Sequence, residues 1–150
     1  MYPELRNMAP ASDEEIAFMR AYHAVGENER VKYAVEVLNR GDLAAFGEAM
    51  TSSHISLRDL YEVTGDALDA LALAAWEFGG INDPDGELIR QAKVLGSRMT
   101  GAGFGGCTVS VVHKDSVEDF KREVGKRYTE LTGLTADFYV AETDDGAREV

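Results

Sequence analysis

The sequence predicts an α+β domain: helices first, then a β-hairpin, a helix and a closing strand. Three observations carry this. Apolar residues recur at steps of three and four over most of residues 13–78. The β-branched residues Thr108, Val109, Val111 and Val112 cluster directly after a glycine-rich stretch. An amphipathic pattern over 116–131 is followed by the apolar run "ADFYVAE". Helices segregated from a small, largely antiparallel sheet make up this class.

The first helix is expected over 13–40. Asp13, Glu14 and Glu15 put negative charge at its start, where the helix dipole favours it. Ile16 and Met19 open an apolar face that Val31, Ala34, Val35 and Leu38 continue, and Gly26 loosens the middle. Gly41 stops this helix and Asp42 caps the next, expected over 42–59 with Leu43, Phe46, Met50 and Leu57 on one face. A third, over 66–78, carries Leu68, Leu71, Ala75 and Phe78. "GGINDPDG" is a cluster of turn residues, and Glu87–Leu95 has the makings of a short further helix. The strand "CTVSVV" comes after the glycines, so Gly101–Gly106 falls at or near a hairpin turn. Ser116 then caps a helix over 116–131 with Val117, Phe120, Val124, Tyr128 and Leu131 inside, Gly133 ends it, and residues 136–142 read as the final strand.

A chain of 150 residues with 45% apolar content is one domain with a real core. Its net charge of −12 repels nucleic acid and anionic membranes, and the densest basic stretch, "FKREVGKRY", reads as a solvated helix face. No run approaches a membrane span, no signal peptide is evident, and a single cysteine fits a reducing, cytoplasmic setting. An acidic protein can still take a phosphorylated ligand through a local device such as backbone N–H groups or one arginine.

The stretch "RMTGAGFGGCTVSVV" contains Gly101, Gly103 and Gly106 at the spacing G-x-G-x-x-G. A dinucleotide fingerprint needs a strand before it and a helix after it, but "CTVSVV" is strand-like. A Walker A loop needs G-K-[ST], where this chain has Gly105, Gly106 and Cys107. A protein-kinase glycine loop does lie between strands, yet the chain has no V-A-I-K, H-R-D or D-F-G after it. Two readings stay open on the residues alone: a ligand-free turn, and a nest of N–H groups suited to an anion or to a neighbouring backbone.

"GSRMTGAGFGGCTVSVV" resembles the third signature motif of the GHMP kinases, and Arg98, Met99 and Phe104 make it similar to the galactokinase family in particular. "AYHAVGENERV" at 21–31, the segment 41–71 and "ADFYVAETDDGAREV" at 136–150 resemble further parts of that family, so nearly the whole chain is covered. The segment between Trp76 and Val94 is longer than the family pattern suggests. The resemblance implies that residues 1–150 form a GHMP kinase carboxyl-terminal, ferredoxin-like domain, and that the amino-terminal ATP- and sugar-binding domain is absent from this chain. The G-E-H-T-D-Y-like and G-L-S-S-S-A-like segments and the catalytic Asp and Arg of the family belong to that other part.

The full-length family uses ATP and Mg²⁺ to phosphorylate the C1 hydroxyl of galactose. The resemblance implies a cleft-lining loop of Thr100, Gly101, Ala102, Gly103, Phe104, Gly105 and Gly106, with Arg98 as a further polar contact or else a surface ion pair. It also implies partnership with an amino-terminal kinase domain and, through the complete site, with galactose or a related sugar. The chain alone is expected to hold no catalytic residue or metal ligand, to bind neither cofactor tightly and to be inactive. The other function class is a non-catalytic sensor or partner-binding domain of the same fold.

The remaining conspicuous residues have plainer readings. Cys107 is expected as a small buried residue, since His113 lies six residues along a strand, about 20 Å away. His23 and His54 are expected as bonded, partly buried histidines, and Tyr61 and Trp76 as core or domain-interface aromatics. "NDPDGE" is a plain turn: aligning Gly86 with the glycine of a calcium loop puts Ile81 where a carboxylate is needed.

Overall fold

The computed structural model describes residues 12–80, 93–101 and 106–142. Helix α1 (Asp13–Asn39) starts on a reciprocal cap: the Glu15 N–H donates to the Ser12 hydroxyl, and the Ser12 N–H donates to the Glu15 carboxylate. Gly41, at φ +72°, turns the chain out of α1. Asp42 then accepts the Ala45 N–H at 3.1 Å and opens α2 (Leu43–Ser56). One wider π turn, Leu57–Tyr61, continues α2 and closes on Glu62 in the left-handed region at φ +57°. Helix α3 (Gly65–Gly79) ends at Gly80 (φ +70°). Strands β1 (Val94–Thr100) and β2 (Cys107–Val112) pair antiparallel. A short 3₁₀ turn, Lys114–Ser116, leads into α4 (Val117–Thr132), which Gly133 ends at φ +73°.

The helices pack around the hairpin. Helices α2 and α3 lie on β1, α4 lies on α3, and α1 lies on α2. The main core joins Ala74 and Ala75 of α3, Val94 of β1 and Phe120 and Val124 of α4, with Leu71, Phe78, Val112 and Phe138 around them. Leu57, Leu68 and Met99 form a second cluster, and Ala72 with Trp76 a third.

The tightest contact is between backbones. The register slips between Val94 and Gly96, so Leu95 bulges, and the bulge meets α2 at Gly47. A Cβ on Gly47 would overlap the Leu95 carbonyl, and one on Gly96 would come within 2.8 Å of the Gly47 Cα.

The α+β class and the four long helices agree with the sequence, and three expectations are corrected. Residues 136–142 form no strand: among the described residues the sheet has two strands, and Phe138 instead packs its ring edge-on to Phe120 (5.9 Å) across the bare face of Gly125. Phe138 anchors the segment on α4, and Tyr139 and Val140 beyond it are exposed. Val94 and Leu95, the end of the expected short helix, belong to β1, while residues 81–92, with the turn cluster "INDPDG", lie outside the described residues. The apolar face foreseen on α1 is only partly its packing face: Ile16, Met19 and Ala34 are half-buried, whereas Val31, Val35 and Leu38 are exposed. The face that α1 turns to α2 is largely polar, built on His23 and Glu27 against hydroxyls of α2.

Candidate functional site

The glycine stretch joins the two strands at the turn end of the hairpin. Thr100 faces Cys107 as the last pair, so Gly101–Gly106 makes the connection. Gly101 adopts φ +82°, a conformation that favours glycine, with nothing within 4 Å of where a Cβ would stand. Gly106 is nearly as bare, its nearest neighbour there being the Thr100 carbonyl at 3.6 Å. Thr100, Gly101 and Gly106 are all exposed, while Ala102, Gly103, Phe104 and Gly105 lie outside the described residues. Cys107 is exposed, against the expectation of a buried residue. It stands at the turn end of the hairpin, beyond the core that α2 and α3 build under β1.

Arg98 lies two residues before Thr100 on β1. Its Nε donates to the Met99 carbonyl at 3.0 Å, and among the described residues it pairs with no carboxylate, so the surface ion pair is not formed there.

Behind β1 the strand is held by two buried side chains from different helices. Trp76 of α3 donates Nε1–H to the Ser97 carbonyl at 3.0 Å, and the Met99 N–H donates to Nδ1 of His54, on α2, at 3.0 Å. Residues two apart present their backbone groups to the same strand edge, so both clamps act on one edge. The two rings meet edge to face, with centroids 5.3 Å apart. Nε2 of His54 faces Asp69 Oδ1 at 3.3 Å, longer and less well aligned than an ideal hydrogen bond. Burial pushes the Asp69 carboxyl up, but contacts with His54 and Thr64 outweigh it and leave the group below its ordinary value. Trp76 is thus the core aromatic expected of it, and His54 is bonded but fully buried, deeper than the partly buried histidine expected.

A polar seam joins α1 to α2. His23, Glu27 and Arg30, spaced i, i+4 and i+7, share the inward face of α1. The His23 Nδ1 lies 2.8 Å from the Ser56 hydroxyl, Ser53 donates to Glu27 at 2.6 Å, and Arg30 donates to the other Glu27 oxygen at 2.6 Å. The Tyr61 ring lies tilted at 47° beside His23, centroids 5.0 Å apart, and under the Arg20 guanidinium. These spacings are legible in "HAVGENER", but an apolar periodicity search passes over a seam of this kind. Among the described residues no group of three or more His, Cys, Asp or Glu could hold a metal ion.

The seam predicts acid sensitivity. Burial holds the His23 imidazole below its usual 6.5, with nearby arginines adding to the shift and Glu27 opposing it. Burial raises the Glu27 carboxyl, but bonds from Ser53 and Arg30 outweigh that and hold it below 4.5. In both cases the unfolded chain takes up protons before the folded one does, so stability is greatest at higher pH and falls on acidification. His23 acts first, below its unfolded value of 6.5, and Glu27 below 4.5. The Tm should fall as pH drops from about 7 to about 5, and His23→Asn should flatten that upper step. An unchanged step in the variant would remove His23 from the account.

Known proteins are similar to this chain in sequence and fold. Residues 86–130 match the family model "GHMP kinases C terminal". Galactokinase of Fusobacterium nucleatum subsp. nucleatum is 55% identical over 93% of this chain, and that of Streptococcus suis 51% identical over 90%. The crystal structure of Lactococcus lactis galactokinase complexed with galactose superposes with a TM-score of 0.75 at 44% identity over 93% of the chain. The chain belongs, as a carboxyl-terminal domain, to the galactokinases of the GHMP kinase group. It spans about a third of its relatives' length: 32% of the Fusobacterium protein, 31% of the Streptococcus protein and 32% of the Lactococcus chain. No helix among the described residues is long and apolar enough to cross a membrane.

Proposed function

We propose that this GHMP kinase domain supplies one wall of a cytoplasmic galactokinase active site, in which the γ-phosphoryl of ATP passes to the C1 hydroxyl of galactose. The supporting observation is the hairpin: the motif "RMTGAGFGGC" is carried at the exposed end of a strand pair clamped from behind by Trp76 and His54. Phosphoryl transfer depends mostly on positioning and charge stabilisation, which suits a bare, firmly mounted backbone. The exposed backbone and open Cα positions of Gly101 and Gly106 fit the approach of phosphate or of a phosphate-binding loop. Thr100–Gly106 would line the cleft, with Arg98, whose Nε is held by the Met99 carbonyl, as a further polar contact.

The Mg²⁺ ligands, like the base and the main ATP- and sugar-binding segments, would come from the amino-terminal domain of a full-length galactokinase, the metal being held by one or two carboxylates together with the ATP phosphates. Joined behind the amino-terminal two-thirds of the Fusobacterium nucleatum galactokinase, the chain should release ADP from ATP when galactose is added; by itself it should not. Sugar-kinase turnover by the 150-residue chain alone would show those parts to be unnecessary.

A non-catalytic, partner-binding role has one observation in its favour. Phe18, Tyr22 and Val25, at helical spacing on α1, are 70%, 63% and 64% exposed. A joined protein that folds but releases no ADP would favour that role.

A further inference from the structure

We infer that His54 is a positioning residue for the glycine hairpin, with Asp69 setting its tautomer. The kinetic part of this rests on the proposed phosphotransfer. Met99 is the second residue before Gly101, and it is pinned through both its side chain and its backbone. Its side chain is buried with Leu57 and Leu68, and its N–H points at Nδ1 of the fully buried His54. A nitrogen that accepts from a backbone N–H carries no proton of its own, so the proton of the neutral ring resides on Nε2, the atom that faces Asp69. The other tautomer would set N–H against N–H under β1. The carboxylate on α3 thereby orients the imidazole on α2, and the imidazole fixes the height at which β1 enters the loop. Trp76 packs edge-on against the same ring and holds Ser97, so a shift of His54 disturbs both strand anchors together.

The test separates an acceptor from a filler of space. His54→Asn keeps an acceptor close to where Nδ1 stands, and His54→Leu keeps bulk but accepts nothing. In the 150-residue chain, Met99 amide exchange should stay slow in wild type and His54→Asn and become fast in His54→Leu, and imidazole ¹⁵N shifts should show the proton on Nε2. In the joined enzyme, assayed well below every variant's Tm, His54→Leu should lower kcat about a hundredfold with KM for galactose little changed. His54→Asn should recover most of that loss. Asp69→Asn, at a less buried site, should give a smaller fall in kcat and a mixed tautomer population.

A wild-type proton on Nδ1, or an Asn variant no better than Leu in exchange, would overturn the inference whether or not the joined enzyme works. Exchange as expected with kcat unchanged in His54→Leu would also overturn it, leaving His54 a fold residue only. A joined wild type without activity would count against the phosphotransfer reading alone, and the exchange experiment would then decide the clamp.

Discussion

Gly47→Ala should destabilise the domain by about 3 kcal/mol, at the upper end of what over-packing costs, and lower Tm by about 10 °C. The added methyl has nowhere to go. It would overlap the Leu95 carbonyl, which is backbone and cannot rotate aside, and Leu95 is itself fixed as the bulge between Val94 and Gly96. Alanine is normally the better helix former, by about 1 kcal/mol. Gly47 lies within α2, so propensity alone predicts the opposite sign. Gly96→Ala should be as harmful, because its methyl meets the same contact from the strand side. Thermal unfolding followed by the fluorescence of Trp76, the single tryptophan, measures both variants. A Tm equal to or above wild type in Gly47→Ala would mean that α2 does not approach β1 this closely.

The second large effect should appear in rate with little change in stability. In the joined enzyme, replacing Gly103 or Gly105 by Val should lower kcat/KM for ATP on the order of a hundredfold, since a misplacement of about 1 Å at a reacting centre can cost that much. The folding cost of one strained loop residue is only about 1–3 kcal/mol. The hairpin beneath is independently secured by Trp76, His54 and the Gly47–Leu95 contact, so a strained turn should not unseat it. Measuring Tm and kcat/KM on the same sample distinguishes the two readings left open by the glycines. A folded variant with wild-type kinetics would leave "TGAGFGG" a structural turn.

Much of the architecture was legible because it obeys local rules. The acids after Ser12, Asp42 before α2, Gly41 and Gly133 beyond helix ends, and the β-branched run after the glycines each act within a few residues of themselves. What sequence reading lost depends on partners far along the chain. "ADFYVAE" has strand composition, but its Phe138 packs on Phe120 of α4 and it pairs with no strand among the described residues. Val94 and Leu95 continue an apolar run that suits a helix, yet the strand claims them. The seam of His23, Glu27 and Arg30 is invisible to a search for apolar faces, because its complementarity lies in hydroxyls of α2. The motif loop was read from its resemblance, whereas the supports beneath it, His54 with Asp69 fifteen residues on, carry no spacing signature at all.

The placement of Cys107 has an optical consequence. It is the only cysteine, it is exposed, and it closes the hairpin opposite Thr100. A maleimide dye will therefore attach at one place, the rim of the glycine turn. Trp76, the only tryptophan, is fixed beneath the same strand through Ser97. The donor and the acceptor's attachment point thus come with the sequence, one mounted in the scaffold and one at the rim. Energy transfer between them reads out displacement of the turn, and quenching or shielding of the dye reads out whatever comes to rest against it.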